Sequence, residues 1–305
     1  MKPTNTIKNK HSYSRLIAGT MHWGVWGKNM NTKKRIKLIE SAHDIGITTF
    51  DHADIYGNYT TEKDFGTAFS QSSLSRADCQ FISKCGIAKV CENTTYKTKH
   101  YRYSASHIIE SVNNSLRNLK TEYLDLLLLH RPSPLMRADE VALAVHTLMD
   151  TGKILSFGVS NFTSPQIDLL KKHLPVTVNQ IEISLTHHDS MFDGQLDYCQ
   201  TNNILPMSWS PLGNLKHSQD RWPSKLKSAV TTLTKKHNTS FAPLVISWLL
   251  KHPANIHPIL GTTNPDRLVE TQQALEIHLD EEDWFFLLEA VRERPCAQDV
   301  NKKLI

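Results

Sequence analysis

Residues 50–62, FDHADIYGNYTTE, place a carboxylate and a phenol directly after a run with the composition of a buried strand. Asp51 ends that run, and Tyr56 follows five residues later; two further apolar runs end in Lys84 and in His130. A phenol beside an ammonium, which a carboxylate keeps charged, can donate a proton to a carbonyl oxygen that is being reduced, and a histidine supplies a second hydrogen bond. Because an ammonium favours the phenolate, we expect Lys84 to lower the pKa of Tyr56 below its ordinary ~10.

The same four residues also have other interpretations. Taken singly, Asp51 is typical of a turn cap and Tyr56 of an interfacial aromatic residue. Lys84 is typical of a solvated strand end, and His130 of a hydrogen-bonded core histidine. A lysine that ends a buried strand can also form a Schiff base with a carbonyl substrate, as in an aldolase. Their joint occurrence favours a proton-transfer site.

Such a site needs a scaffold that brings distant strand ends together. Short β-branched or leucine-rich runs occur at residues 16–18, 48–50, 80–83, 123–129, 154–159, 177–183, 205–208 and 256–260. Helical spacing separates them, at residues 33–45, 107–119, 140–149, 166–173, 194–200, 225–236 and 267–275. Eight such alternations predict a parallel sheet closed into a (β/α)8 TIM barrel, with extra helices at 243–251 and 281–292. An open doubly wound sheet is the alternative, since periodicity does not show closure.

Local patterns predict how individual helices begin and pack. Ser164-Pro165 and Asn264-Pro265 each indicate an N-cap followed by proline at the first helical position. The buried side of the first helical segment is expected to carry Ile36, Ile39, His43 and Ile45. The buried side of the second is expected to carry Ile108, Val112, Ser115, Leu116 and Leu119. No linker divides the chain, so we expect one domain over residues 1–305, with residues 1–13 a flexible N-terminal segment.

Composition narrows the class of protein. The 305 residues are 39% hydrophobic and 21% charged, which suffices for a full core. The net charge of +5 suits an anionic ligand but is too small and scattered to indicate nucleic acid. Five cysteines without a CxxC pair indicate reduced thiols in the cytoplasm, the N-terminus does not resemble a signal peptide, and no apolar run spans a membrane. His187-His188-Asp189 does not predict a metal site, because adjacent strand histidines face opposite ways.

The polar residues after the apolar runs resemble a known family. Asp51, Tyr56, Lys84 and His130 match the Asp–Tyr–Lys–His tetrad of the aldo-keto reductases, and GVSNF, VNQIE, WSPLG and GTTNPDRL extend the match over roughly residues 15 to 275. The phrases FDHADIYG, SKCGI and HRPSPLM are most similar to a bacterial oxidoreductase branch. The resemblance implies reduction of aldehydes or ketones to alcohols with NADPH, or with NADH, and with Tyr56 as the proton donor.

The resemblance also implies a cofactor site at the C-terminal ends of the strands. Its members would be Ser160, Asn161 and Gln180 at the nicotinamide carboxamide, Trp209 stacked on the ring, Ser210, Leu212 and Gly213 along the pyrophosphate, Gly261 and Thr262 after the last strand, and Arg267 at the 2′-phosphate. The helix start predicted at Asn264 supports the last assignment, because helix N-termini attract phosphate. Many relatives carry a cation where this chain has Thr263, so the preference for NADPH over NADH is expected to be weak.

Other expectations concern the surroundings of this site. Trp23, Trp26 and Trp222 are candidate walls of the substrate pocket, and Cys85 is expected to point away from Lys84. A small carbonyl compound is the expected partner, with no nucleic acid, membrane or metal; the oligomeric state stays open. Since channel-associated subunits share this fold, a non-catalytic or slow nucleotide-binding regulatory subunit is the second hypothesis.

Overall fold

The computed structural model describes residues 13–216 and 222–292. Its strands are β1 Ile17–Gly19, β2 Thr49–Asp51, β3 Gln80–Cys85, β4 Ile87–Ala88, β5 His100–Tyr101, β6 Leu126–Leu129, β7 Phe157–Ser160, β8 Val178–Glu182, β9 Leu205–Trp209 and β10 His257–Leu260. β4 and β5 pair antiparallel with each other, and the remaining eight strands close into a parallel barrel in the order β1, β2, β3, β6, β7, β8, β9, β10. The predicted (β/α)8 barrel is confirmed.

Helices cover the outside of the barrel. The described helices are α1 Thr32–Asp44, α2 Thr61–Phe69, α3 Ala105–Leu119, α4 Ala138–Asp150, α5 Ser164–Lys171, α6 Gln195–Thr201, α7 Ser224–Lys236, α8 Phe241–Leu250, α9 Pro265–Gln272 and α10 Glu281–Val291. The predicted cap of α9 is confirmed, since the Asn264 side chain accepts from the Asp266 amide and Pro265 is the first helical residue. The cap predicted for α5 is wrong by one residue: Thr163 forms a capping box with Gln166, so Ser164 already lies inside the helix.

Three further features differ from the sequence-based expectations. The helix α2 was not predicted, because it has only nine residues and Gly66 interrupts its pattern. The short β4–β5 pair was not predicted either. The buried face of α1 consists of Arg35, Leu38, Ile39 and Ala42. The predicted face is therefore rotated, because Arg35 turns inward to an ion pair with Asp64, with 2.7 Å between nitrogen and oxygen.

The interior of the barrel has an apolar layer and, above it, a polar one. The apolar layer consists of Ile17, Ile82, Leu126, Leu128, Val178, Met207 and Ile259. Side chains two residues apart on a strand share a face. The next inward positions toward the carboxyl ends are therefore occupied by Lys84, His130, Gln180 and Trp209. The strand pattern thus concentrates the ionisable groups at one mouth of the barrel, as expected for this fold.

Two regions bear on the remaining expectations. Residues 1–12 of the expected N-terminal segment lie outside the described residues, whereas Tyr13 packs against the apolar layer. Cys296 also lies outside the described part of the chain, and Cys79, Cys85, Cys91 and Cys199 are free thiols. In residues 13–216 and 222–292, no helix combines the length and apolar character needed to cross a bilayer.

Candidate active site

Asp51, Lys84 and Tyr56 meet in one buried hydrogen-bonded network. The Lys84 Nζ lies 2.8 and 2.7 Å from the two carboxylate oxygens of Asp51 and donates to the Tyr56 hydroxyl at 3.1 Å. It also donates to the backbone oxygen of His52 at 2.7 Å. The side chain of Lys84 is 1% exposed, so this ammonium has exchanged water entirely for protein oxygens. A buried charge of this kind is retained only when it is paired and hydrogen-bonded.

Neighbouring strands and a tight turn bring these groups together. Asp51 is the last residue of β2, which pairs in parallel with β3 and so lies beside the inward-facing Lys84. The chain then turns: the Tyr56 amide donates to the Ala53 oxygen at 3.1 Å, and the Thr61 amide donates to the Tyr56 oxygen at 3.2 Å as α2 begins. Backbone bonds on both sides of Tyr56 therefore direct its side chain back over the barrel mouth.

The electrostatics of the network keep the phenol protonated. Burial raises the pKa of Tyr56 above its ordinary value, and the Lys84 ammonium offsets only part of this effect. The prediction of a lowered pKa for Tyr56 is therefore wrong, because the cost of desolvating the phenolate exceeds the attraction of one cation. Burial alone would lower the pKa of Lys84, but Asp51 and Tyr56 raise it above its ordinary value. Near neutral pH the phenol is thus a proton donor and the lysine a fixed cation.

This arrangement does not fit a Schiff-base role for Lys84. A nucleophilic lysine must lose its proton, and burial or a second cation normally lowers its pKa for that purpose. Here the ammonium contacts the Asp51 carboxylate, and its pKa is raised. The aldolase alternative is accordingly disfavoured by the chemistry of the site.

His130 completes the group from the end of β6. Its amide donates to the Cys85 oxygen at 2.9 Å, and its ring lies edge-on to Tyr56 with 6.0 Å between the centroids. Burial, followed by the charges of Lys84 and Arg131, holds the pKa of His130 well below its ordinary range. The ring is therefore neutral, and its Nδ1 is buried without a partner in the described residues. A neutral imidazole beside the phenol can hydrogen-bond a substrate oxygen without competing as an acid.

The residues predicted to surround a nicotinamide form a second chain of hydrogen bonds. The Trp209 indole nitrogen donates to Asn161 Oδ1 at 3.0 Å, and Asn161 Nδ2 donates to Ser160 Oγ at 2.8 Å. Ser160 donates in turn to the backbone oxygen of Gln180 at 2.9 Å. The Gln180 side-chain nitrogen donates to Asp51 Oδ1 at 2.8 Å, and this bond connects the second chain of hydrogen bonds to the network of Asp51, Lys84 and Tyr56. Sequence reasoning missed this link, because no pattern indicates a contact between β8 and β2 across a barrel.

The other predicted cofactor residues lie along the rim. Ser210, Leu212, Gly213 and Thr262 are half-buried, and Gly261 and Arg267 are exposed. The Leu212 side chain packs partly against the outer core, the apolar cluster between the helices and outward-facing strand residues such as Phe50, Phe81 and Val159. The structure places these residues after β9 and β10, on the same end of the barrel as Tyr56.

Two details of this rim suit a phosphate-bearing cofactor. Gly213 has a φ of +52°, and a Cβ there would meet Thr186 Oγ1 at 2.2 Å, so only glycine fits at this turn. Arg267 lies in the first turn of α9, where the positive end of the helix dipole and a guanidinium both attract anions. The residues present therefore fit the group that the sequence resemblance implies.

The three tryptophans have different positions. Trp26 lies at the site, with its ring 6.1 Å from that of Tyr56, and its nitrogen donates to Asn58 at 2.9 Å. Trp23 is 1% exposed and packs against Phe50 and Phe65 in the outer core, so its prediction as a pocket wall is wrong. Trp222 packs 4.5 Å from Phe241 in the same core and is likewise not a pocket wall. The sequence alone does not distinguish a tryptophan that packs in the core from one that lines a pocket.

Cys85 follows the sequence-based expectation in position, whereas His187 and His188 lie outside the strands of the barrel. Cys85 packs in the outer core, on the face of β3 opposite to Lys84. Within residues 13–216 and 222–292, no three His, Cys, Asp or Glu side chains are grouped as a metal site.

Eight parallel strands form a (β/α)8 barrel, and its polar network lies at the carboxyl ends of the strands, where enzymes of this fold have their active sites. Residues 15–290 match the sequence model of the aldo/keto reductase family, and the chain belongs to that family. It is 40% identical over 289 residues to the uncharacterized oxidoreductase YcsN of Bacillus subtilis, covering 92% of this chain and 95% of that protein.

Two further likenesses cover nearly the whole chain. A 6-dehydroglucose reductase of Agrobacterium fabrum is 36% identical over 284 residues, which cover 92% of this chain and 95% of that protein. A thermostable aldo-keto reductase crystallised with the inhibitor epalrestat has a TM-score of 0.79 and 26% identity, covering 93% of this chain and 97% of that one. The family predicted from the sequence is confirmed.

Proposed function

We propose that this protein reduces aldehyde or ketone groups to alcohols with NADPH, and that Tyr56 donates the proton. The observation that carries the proposal is the buried hydrogen bond from the Lys84 Nζ to the Tyr56 hydroxyl, at 3.1 Å. Membership of the aldo/keto reductase family and a relative named as a reductase support the same reaction. A small carbonyl compound is the substrate class, and the free thiols favour a cytoplasmic location.

The residues of the chain have separable roles in this reaction. When bound, the nicotinamide supplies the hydride. Tyr56 donates its proton to the substrate oxygen, and the Lys84 ammonium stabilises the phenolate that remains. Asp51 keeps Lys84 charged and in place, and Gln180 holds Asp51 from the far side of the barrel. The neutral His130 hydrogen-bonds the substrate oxygen and so orients the carbonyl toward Tyr56.

The direct test is a fluorescence titration of the purified protein with NADPH and, separately, NADH. Trp26 and Trp209 both lie at the mouth, so binding there is expected to quench tryptophan emission. We expect saturation with NADPH at micromolar concentration, weaker binding of NADH, and oxidation of bound NADPH when aldehydes or quinones are added. Binding of neither nucleotide would refute the proposed function.

Arg267 is proposed to recognise the 2′-phosphate that distinguishes NADPH from NADH. Replacing it with alanine is expected to weaken NADPH binding ~10-fold and to change NADH binding less than ~2-fold, because only NADPH presents the charge that a guanidinium binds. The same titration measures both values. Lys172→Ala, which removes an exposed cation after α5 at the opposite end of the barrel, is the matched control. Equal losses for both nucleotides would show that Arg267 does not read the phosphate.

The pH dependence of reduction follows from the two shifted groups. Tyr56 has a raised pKa, so it stays protonated until the pH exceeds ~10, and His130 has a lowered pKa, so it stays neutral above pH ~6. We therefore expect kcat/KM for a neutral aldehyde to be flat between pH ~6 and ~9. A pH–rate profile with an inflection near ~6.5 would instead show that His130 titrates during the reaction.

A further inference from the structure

Arg131 directly follows His130 and lies at the barrel mouth. Its guanidinium carbon is 5.4 Å from the centroid of the Trp209 ring, and the residue is half-buried. Its charge acts on the reacting groups, since it contributes to lowering the pKa of His130 and opposes the effect of burial on Tyr56. Arg131 therefore lies at the same mouth of the barrel as Tyr56 and His130, against the ring of Trp209.

The backbone of Arg131 is held in place by two hydrogen bonds with the Tyr103 hydroxyl. The Tyr103 hydroxyl donates to the Arg131 oxygen and accepts from the Arg131 amide at 3.3 Å. Tyr103 reaches this position over Gly86, where a Cβ would lie 1.9 Å from the tyrosine ring. Gly86 has a φ of +107°, which other residues rarely adopt. The backbone of Arg131 is thus held in one position, which favours a defined geometry for a residue that binds substrate.

No carboxylate neutralises this arginine within residues 13–216 and 222–292. The ion pairs of the described residues do not include Arg131, and its side chain makes no hydrogen bond there. Glu182 ends β8 beside Trp209 in register, but its carboxylate does not reach the guanidinium. Half-buried arginines with five unused donors are suited to bind a planar anion through two parallel hydrogen bonds.

We propose that Arg131 selects carbonyl substrates that carry a carboxylate, which it binds beside the carbonyl held by Tyr56 and His130. This inference rests on the proposed function and names its substrate class. The guanidinium fork matches a carboxylate in shape and charge. Lys99 adds positive charge near His130, so the field at the mouth also favours an anion.

The test compares 4-carboxybenzaldehyde with its methyl ester, which has the same reacting carbonyl but lacks the charge. The wild-type protein is expected to prefer the acid in kcat/KM by ~10-fold or more, and Arg131→Met is expected to lower this acid-to-ester ratio by ~10–100-fold. Arg131→Lys retains the positive charge but lacks the paired N–H donors of the guanidinium, so its acid-to-ester ratio is expected to lie between those of the wild type and Arg131→Met. The ratio cancels general effects on folding and on the chemical step.

Arg102→Met is the matched control, because it removes the same charge from a neighbouring exposed site at which the arginine contacts Tyr96. We expect it to change the acid-to-ester ratio by less than ~2-fold. A ratio unchanged in Arg131→Met, or equal losses on both aldehydes together with weaker NADPH binding, would overturn the proposal and assign Arg131 to the cofactor or to structure.

A binding measurement separates this proposal from the proposed reaction. If neither aldehyde is turned over, the reductase function fails, but tryptophan quenching by benzoate and by benzamide still reports on the anion site. Benzoate is expected to bind at least ~10-fold more tightly than benzamide, and Arg131→Met is expected to remove that difference. Equal binding of the two compounds by the wild-type protein would refute the anion site.

Discussion

Replacing Tyr56 with phenylalanine is expected to lower the turnover number for carbonyl reduction by ~10²–10⁴-fold. The phenylalanine ring preserves the packing against Trp26 and removes only the hydroxyl that contacts Lys84. Without that hydroxyl, the nearest alternative acids are a neutral His130 and an ammonium held by Asp51, neither of which replaces the phenol. Stopped-flow measurement of NADPH oxidation gives the rate, and the fluorescence titration gives the cofactor affinity, which we expect to change little.

Tyr59→Phe provides a matched control for this prediction. The Tyr59 hydroxyl is three residues away and donates to the backbone oxygen of Ile87 at 3.2 Å, so its removal also deletes one hydrogen-bonding phenol beside the mouth. We expect this variant to retain turnover within ~3-fold, since this hydroxyl is hydrogen-bonded to the backbone of Ile87 and Lys89 and not to the tetrad. A Tyr56→Phe protein with nearly full turnover would exclude the tyrosine as the acid.

The sequence was sufficient to predict where the ionisable groups lie, because strand periodicity determines which side chains face inward. Lys84 stands two residues after Ile82, and His130 two after Leu128, so buried apolar residues identify the face that the charged ones share. The alternation of strands and helices likewise predicted a parallel sheet. Both properties depend on neighbours in the chain, which a single sequence displays, whereas the resemblance to the aldo-keto reductases implied that the sheet closes.

Properties that depend on contacts between distant segments were not predicted. The net rise in the pKa of Tyr56 results from the burial of the phenol. The residues next to Tyr56 in the sequence do not indicate this burial. Gln180 supports Asp51 across the barrel, and Tyr103 supports Arg131 through the space above Gly86. Each pair is separated by at least 28 residues in the chain. Only closure of the fold brings such partners together.

Loss of the buried charge pair is expected to affect stability and activity in different ways. Lys84→Met leaves the Asp51 carboxylate buried, with the Gln180 side chain as its remaining side-chain partner in the described network. We expect the free energy of unfolding to fall by ~3–5 kcal/mol, which is typical when one member of a buried ion pair is removed. Turnover is expected to fall ~10²-fold or more, because no ammonium then contacts the phenolate of Tyr56. Urea unfolding and stopped-flow kinetics measure the two effects.

The double variant Asp51→Asn with Lys84→Met distinguishes these two roles of the pair. It removes both charges, and the asparagine oxygen can still accept from Gln180, so most of the lost free energy of unfolding is expected to return. Turnover is not expected to return, since the phenolate still lacks its cation. A double variant as unstable as Lys84→Met would show that the unpaired carboxylate is not the cause. Recovery of turnover together with stability would mean that Lys84 only holds the fold and takes no part in proton transfer.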